Sequence, residues 1–230
     1  MTIDIITSVP KIFESFLSFG PVRKAMENSS LVIRFLNVVD FAKHPKEIDD
    51  YPYAGVSGMV MKIEPIYKAI MSAKENFDES YVILLSPQGK VLNQEKVKEL
   101  VSKKHLILIC GRYKGIDARV ENFIDEEISI GDYILSGGEI AAIVLVDAIS
   151  RLLPNAVNDP LSVLTDSFED GLLDAPYYTR PYEFMGYVVP EVLLSGDHKK
   201  IEDWINTEKL RITVQKRPDL IKKLVFKLTT

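Results

Sequence analysis

Tyr81-Val82-Ile83-Leu84-Leu85-Ser86-Pro87-Gln88-Gly89 joins a wholly apolar run to a small-residue turn. Leu106-Ile107-Leu108-Ile109-Cys110-Gly111-Arg112-Tyr113-Lys114-Gly115 repeats the arrangement. Apolar runs without polar alternation suit strands buried on both faces. A helical pattern follows each run, over 94–102 and over 117–124. Strands alternating with helices predict an α/β fold with a parallel sheet covered on both sides. A third glycine-bearing segment lies further on, Ser129-Ile130-Gly131-Asp132-Tyr133-Ile134-Leu135-Ser136-Gly137-Gly138-Glu139. It stands between the acidic Asp125-Glu126-Glu127 and a helical pattern over 140–153. Glycine here either only reverses the chain or lets backbone approach a ligand, since no Cβ blocks it. Ligands of open α/β sheets sit beyond the carboxyl ends of the strands. The turns 86–89, 111–115 and 129–138 are therefore expected to converge there on one pocket built mainly from backbone. None of them is a GxGxxG or a GxxxxGK[ST], so the usual dinucleotide and nucleoside triphosphate readings are weak.

Upstream, 3–7 reads as a strand, and 11–19 carries a helical stripe of Ile12, Phe13, Phe16 and Leu17. A short helix over 22–27, a half-buried strand over 31–37 and a helix over 63–76 follow, the last with Ile63, Ile66, Tyr67 and Ile70 on one face. Between the last two lies a long polar loop, 40–57, of a length that in a compact domain is usually functional or mobile. Downstream, Pro154-Asn155 and Asn158-Asp159-Pro160 mark a hinge. Beyond it Asp197 is placed to cap a helix with a stripe of Ile201, Trp204 and Ile205. From Lys199 onward nine Lys/Arg face four Asp/Glu, a local charge of +5. That is either a solvated helical face or a nucleic-acid surface.

The whole chain of 230 residues is acidic, at −5, with 47% hydrophobic and 27% charged residues. This is ordinary globular composition with room for a real core. The acidity argues against sequence-blind coating of nucleic acid but permits a local basic surface. No apolar run reaches the roughly 18 residues of a membrane span, and no signal peptide is readable. The single Cys110 excludes an internal disulfide and fits a reducing cytoplasm. With one cysteine and three scattered histidines, no metal-ligand spacing exists.

Six blocks together resemble the signature blocks of the bacterial tRNA (guanine-N1)-methyltransferases, the TrmD family of the SPOUT superfamily. They are Leu85-Ser86-Pro87-Gln88-Gly89, Cys110-Gly111-Arg112-Tyr113-Lys114-Gly115-Ile116-Asp117, the segment 129–139, Thr165-Asp166-Ser167-Phe168, Tyr178-Thr179-Arg180-Pro181, and Leu194-Ser195-Gly196-Asp197-His198. The resemblance covers essentially the whole chain, in order and with near-family spacing. The resemblance implies a parallel α/β sheet with a deep C-terminal trefoil knot and a small, mainly helical C-terminal domain. It implies a knotted cofactor-binding domain over 1–154, a flexible linker over 155–165 and a tRNA-binding domain over 166–230. It also implies a cytoplasmic homodimer with the active site at the subunit interface, transferring methyl from S-adenosyl-L-methionine to N1 of the guanosine at tRNA position 37. That methylation protects the reading frame. A Mg²⁺ requirement for transfer is implied as well.

Carried over by position, the cofactor contacts are Leu84, Leu85, Ser86, Pro87 and Gln88, then Gly111 and Tyr113. Ser129, Ile130, Gly131, Asp132, Tyr133, Ile134, Leu135, Gly137 and Gly138 complete them. The catalytic residues implied are Asp166, the general base at N1, and Arg151, which stabilises charge on O6. Read without the resemblance, Asp166 caps the first helix of the C-terminal domain and Arg151 is a cation at a helix C-terminus. Two departures stand out. The family's YGGGPGM loop is here Tyr53-Ala54-Gly55-Val56-Ser57-Gly58-Met59, and Lys114 stands where the family has glutamate. The alternatives are a knotted RNA methyltransferase with another target, an RNA-binding module without activity, and a small-molecule α/β enzyme. The basic C-terminal region disfavours the last.

Overall fold

A computed structural model describes residues 1–229, and their side chains except at 160, 161 and 227–229. The chain divides into two compact units, Met1–Asn158 and Asp159–Thr230. In the first, chain order is β1 (Thr2–Thr7), α1 (Glu14–Leu17), α2 (Gly20–Glu27), β2 (Val32–Asn37), β3 (Asp49–Asp50), β4 (Val60–Met61) and α3 (Ile63–Lys74). Then come β5 (Tyr81–Val91), α4 (Gln94–Val101), β6 (His105–Cys110), β7 (Glu126–Ser129) and α5 (Glu139–Ser150). Five strands pair in the order β2-β1-β6-β5-β7, all parallel.

The apolar runs are explained by burial on both faces. Ile3, Ile5, Ile83, Leu106 and Leu108 join one core with Val97, Leu145 and Ile149. Their strand neighbours Ile6, Val82, Ile107 and Ile109 join a second core with Ile66, Ile70 and Val120. Successive Cβ atoms point to opposite faces, so each residue from Leu106 to Cys110 of β6 has a core to enter. Ala142, Leu145, Val146 and Ile149 of α5 are fully buried at helical spacing. At about 1.5–3 kcal/mol for each large side chain, these fix α5 against the sheet.

The structure departs from the sequence expectation in several places. The 86–89 turn lies within β5. Leu85 and Lys90 both register with Ile128, so the residues between them bulge from the ladder. Pro87 has no N–H to donate to a ladder, which suits the excursion. The helix expected over 117–124 is a 3₁₀ segment, Ala118–Phe123, capped by Asp117, whose side chain accepts from Arg119 N at 3.0 Å. The 11–19 stripe is split into a 3₁₀ turn, Pro10–Phe13, and the single-turn α1. The polar loop 40–57 carries β3 and a 3₁₀ turn, Tyr53–Gly55. Within that turn Ala54 has φ 68° and ψ 9°. The left-handed region costs a residue with a Cβ about 1–2 kcal/mol, while the extra backbone entropy that glycine loses on folding is somewhat smaller, about 0.4–1 kcal/mol. Ala54→Gly is therefore expected to raise the stability by about 0.5–1 kcal/mol, read as a higher urea midpoint. An unchanged or lower midpoint would mean that this alanine is not strained.

At the amino ends of the strands a buried polar cluster closes the sheet. Asp4 accepts from Arg34 Nε at 2.6 Å. It also meets His105 Nε2 at 3.0 Å, while His105 Nδ1 lies 2.8 Å from Ser80 Oγ. A carboxylate only accepts, so the imidazole carries its proton on Nε2 and receives the Ser80 hydroxyl at Nδ1. Phe77 stacks on the ring at 3.6 Å. Burial lowers the His105 pKa; Asp4 opposes this and Arg34 adds to it. The unfolded chain thus binds more protons than the folded one below the ordinary histidine pKa of about 6.5. The stability this group contributes is present above about pH 6.5 and is lost as pH falls through the depressed folded value. Urea midpoints are expected to fall from pH 7.5 to 5.5, with a smaller fall in His105→Gln. Equal falls would place the acid sensitivity elsewhere.

The second unit holds α6 (Pro160–Thr165), a hairpin of β8 (Glu183–Phe184) with β9 (Tyr187–Val188), α7 (His198–Lys216) and α8 (Pro218–Thr229). The unit boundary falls inside the expected linker 155–165, whose second half is helical as α6. Asp197 caps α7 as expected, accepting from Lys200 N at 3.2 Å. Thr213, fully buried, accepts from Leu173 N at 2.9 Å and donates to Lys209 O at 2.7 Å. Lys209 pairs with Asp170. These ties hold the irregular stretch after α6 to α7.

Candidate active site

Beyond the carboxyl ends of β5, β6 and β7 lies a cavity of about 550 Å³. Cofactor sites span a few hundred to a thousand Å³. The three segments expected to converge do so, and they pack on one another through backbone. Gly138 N donates to Gly111 O at 2.8 Å. Arg112 and Gly137 form an antiparallel bridge. A Cβ on Gly138 would lie 2.9 Å from Cys110 Cα, and one on Gly89 would lie 2.4 Å from Glu127 C and Ile128 N. Gly138 has φ −74°, so close packing demands glycine there and turn geometry does not.

Leu84, Leu85, Ser86, Pro87, Gln88, Gly111, Tyr113, Ser129, Ile130, Tyr133, Ile134, Leu135, Gly137 and Gly138 all line this cavity. Gly131 and Asp132, expected among the contacts, are not in the lining. The turn uses Gly131 internally. Its N–H donates to Ser129 Oγ at 3.2 Å, the Ser129 hydroxyl returns a bond to its carbonyl at 3.2 Å, and Tyr133 N donates to that carbonyl at 3.0 Å. Asp132 is carried at the exposed tip.

Several lining residues are not among the expected contacts, although Lys114 stands out in the sequence as a departure from the family pattern. Arg112, Lys114, Glu121 and Glu127 add charge to walls that are otherwise small and apolar. Arg112 Nη1 donates to Glu139 Oε2 at 3.1 Å, and Glu139 Oε1 accepts from Thr7 Oγ1 at 2.9 Å. Glu139 is buried in the first turn of α5, where the helix dipole favours an anion. It ties the end of β1 to the cavity wall. Arg112 keeps 29% of its side chain in solvent, so losing Glu139 should cost about 1–3 kcal/mol, read as a lower urea midpoint of Glu139→Ala. A loss below about 1 kcal/mol would show that the tie is dispensable. Tyr113, at φ 59°, lies in the tight turn that Gly115 N closes on Arg112 O at 3.0 Å. Its phenol is raised by a hydrogen bond to Asp49, then by burial. Burial holds the Cys110 thiol well above its usual range, so it is not a nucleophile.

Arg151 caps the C-terminus of α5, its N–H donating to Asp147 O at 3.2 Å. A helix dipole favours a cation there, as the plain reading of the sequence expects. Asp166 is not the N-cap expected. It follows the C-terminal end of α6, the end at which the dipole disfavours an anion. Its carbonyl accepts from Glu169 N at 3.3 Å. The Asp166 charge also bears on Tyr177, whose phenol is pushed up to about 12, chiefly by its hydrogen bond to Asp174. Among the described residues, no group of three His, Cys, Asp or Glu could hold a metal ion. No helix among them is long and apolar enough to cross a membrane.

A parallel α/β sheet with a cofactor-sized cavity of loop backbone at its carboxyl edge is the architecture that enzymes with nucleotide-like cofactors use. The walls suit such a group: small and apolar faces for a flat ring, and carboxylates for a donor or cation. The model of the family described as tRNA (Guanine-1)-methyltransferase TrmD matches residues 1–223, and the chain belongs to that family. It is 49% identical over 225 residues to a tRNA (guanine-N(1)-)-methyltransferase of Dictyoglomus turgidum, covering 97% of this chain and 91% of the relative. A protein of the same description from Sulfurihydrogenibium sp. is 50% identical, covering 97% and 88%. The crystal structure of tRNA (m1G37) methyltransferase from Aquifex aeolicus superposes with a TM-score of 0.78 at 41% identity, covering 99% of this chain and 98% of that one.

Proposed function

We propose that the protein transfers a methyl group from S-adenosyl-L-methionine to N1 of the guanosine at position 37 of tRNA. The observation that carries this is the cavity, formed by the same segments that resemble the family's cofactor loops. The cofactor, held there, supplies a methyl already activated on a sulfonium. The chain's own task is positioning and proton removal. Gly111, Gly137 and Gly138 let backbone close on the adenosine part, and Leu85, Ile130 and Leu135 wall it from water. Asp166 accepts the N1 proton, and Arg151 offsets the negative charge that grows on O6. The Watson–Crick edge must be unstacked before N1 can be reached.

The mutual packing of the three segments is what a trefoil knot would produce, and we take that as the fold of this edge. The active site is read as shared between two copies. Arg151 lies at the far end of α5 from the cavity, and at 1.5 Å per residue that is roughly 18 Å, beyond the reach of its side chain. Ile140 and Val144, one helical turn apart, are exposed on α5 and offer a second copy an apolar surface. The basic stretch from Lys199 is read as a surface for tRNA in the cytoplasm. The test is a transcript in which guanosine 37 is replaced by adenosine: methyl incorporation should vanish with it. Undiminished incorporation would move the target elsewhere.

A further inference from the structure

Among the described residues one buried side-chain polar atom has no hydrogen-bond partner, Glu127 Oε2. Glu127 belongs to β7, in register with Leu84 of β5, and it lines the cavity. Its neighbours are engaged. Asp125 accepts from Val82 N at 2.7 Å. Glu126 accepts from the Tyr81 hydroxyl at 3.1 Å and pairs with Lys96 at 3.1 Å. Of the cations in the cavity wall, Arg112 is committed to Glu139. A buried carboxylate oxygen without a donor is unfavourable, and native structures keep few of them. Nor does it hold β7 in place, since the backbone ladder with β5 does that.

We infer that Glu127 recognises the ligand, its Oε2 accepting a hydrogen bond from a donor of the bound cofactor. The donor is either the amino group or a ribose hydroxyl. This rests on the S-adenosyl-L-methionine reading of the cavity. A residue kept for a ligand destabilises the empty protein and strengthens binding, so the two readouts should move in opposite directions.

The experiment is calorimetric titration of wild type and Glu127→Gln with three compounds, and urea unfolding of both proteins without ligand. The compounds are S-adenosyl-L-methionine, S-adenosyl-L-homocysteine and 5′-methylthioadenosine, which keeps adenine and ribose but lacks the amino acid. Affinity is expected to fall roughly 10- to 100-fold, as for loss of a charge-assisted hydrogen bond, while the urea midpoint stays level or rises. A loss shared by all three compounds assigns the ribose hydroxyl. A loss confined to the first two assigns the amino group. Unchanged affinity in a variant whose wild type binds overturns the inference and leaves the cofactor reading standing. A wild type that binds none of the three overturns both. Should Glu127→Gln fold poorly, Glu127→Met, apolar and of similar length, takes its place. If both are less stable than wild type, Glu127 is structural and the inference falls.

Discussion

Asp166→Ala is expected to lower the rate of methyl transfer by about 10²–10⁴-fold, the usual worth of a positioned general acid or base. The affinity for S-adenosyl-L-methionine should stay within about twofold, since the cavity is lined by the other unit of the chain. Folding should also be little changed. Asp166 caps no helix, and as an anion beyond the C-terminus of α6 it is disfavoured by the dipole. Single-turnover kinetics with saturating tRNA, beside calorimetry with the cofactor, separates the alternatives. A collapse of cofactor affinity would make Asp166 structural, and an unchanged rate would remove it from the chemistry.

Gly89→Ala is expected to cost more than about 3 kcal/mol, a large fraction of the roughly 5–15 kcal/mol that keeps a domain folded. An added Cβ would sit 2.4 Å from Glu127 C and Ile128 N and 2.5 Å from Glu127 O, all backbone atoms. No side chain can swing away to relieve this, so β5 and β7 would have to separate where the 86–89 excursion crosses. Gly20→Ala is the matched control. Gly20 has φ +64° with open space around its Cβ position, so it should pay only the left-handed penalty less glycine's entropy, a net of about 0.5–1 kcal/mol. Urea unfolding of both variants decides it. Equal losses would mean that β5 and β7 can part without cost, and the cavity edge would then be far looser than its contacts suggest.

The legible parts of the fold were those where burial left an unambiguous pattern. The runs 81–85 and 106–110 read as doubly covered strands because each of their residues enters one of two cores. β7 was not legible, since Glu126-Glu127-Ile128-Ser129 is short and half polar, an edge strand with charge on its flank. The 3₁₀ form of 118–123 was hidden for a similar reason: apolar spacing over so few residues does not distinguish it from α-helix. The convergence of the three turns followed from the rule that parallel sheets carry their sites at carboxyl ends. The acidic members of the site did not follow. Glu127 read as one of three flanking acids and Glu139 as the end of a glycine turn. Only tertiary placement reveals that the first has a buried oxygen without a partner and the second pairs with Arg112 and Thr7. Gly131 and Asp132 looked like their neighbours in sequence, but the turn consumes the first internally and exposes the second.

The proposed activity is tested most directly by the position of the product methyl. The protein is incubated with labelled S-adenosyl-L-methionine and an unmodified tRNA bearing guanosine 37, and the digested RNA is mapped by mass spectrometry. One methyl on N1 of guanosine 37 is the predicted result. Methylation at another atom or another nucleotide, or none at all, would contradict it.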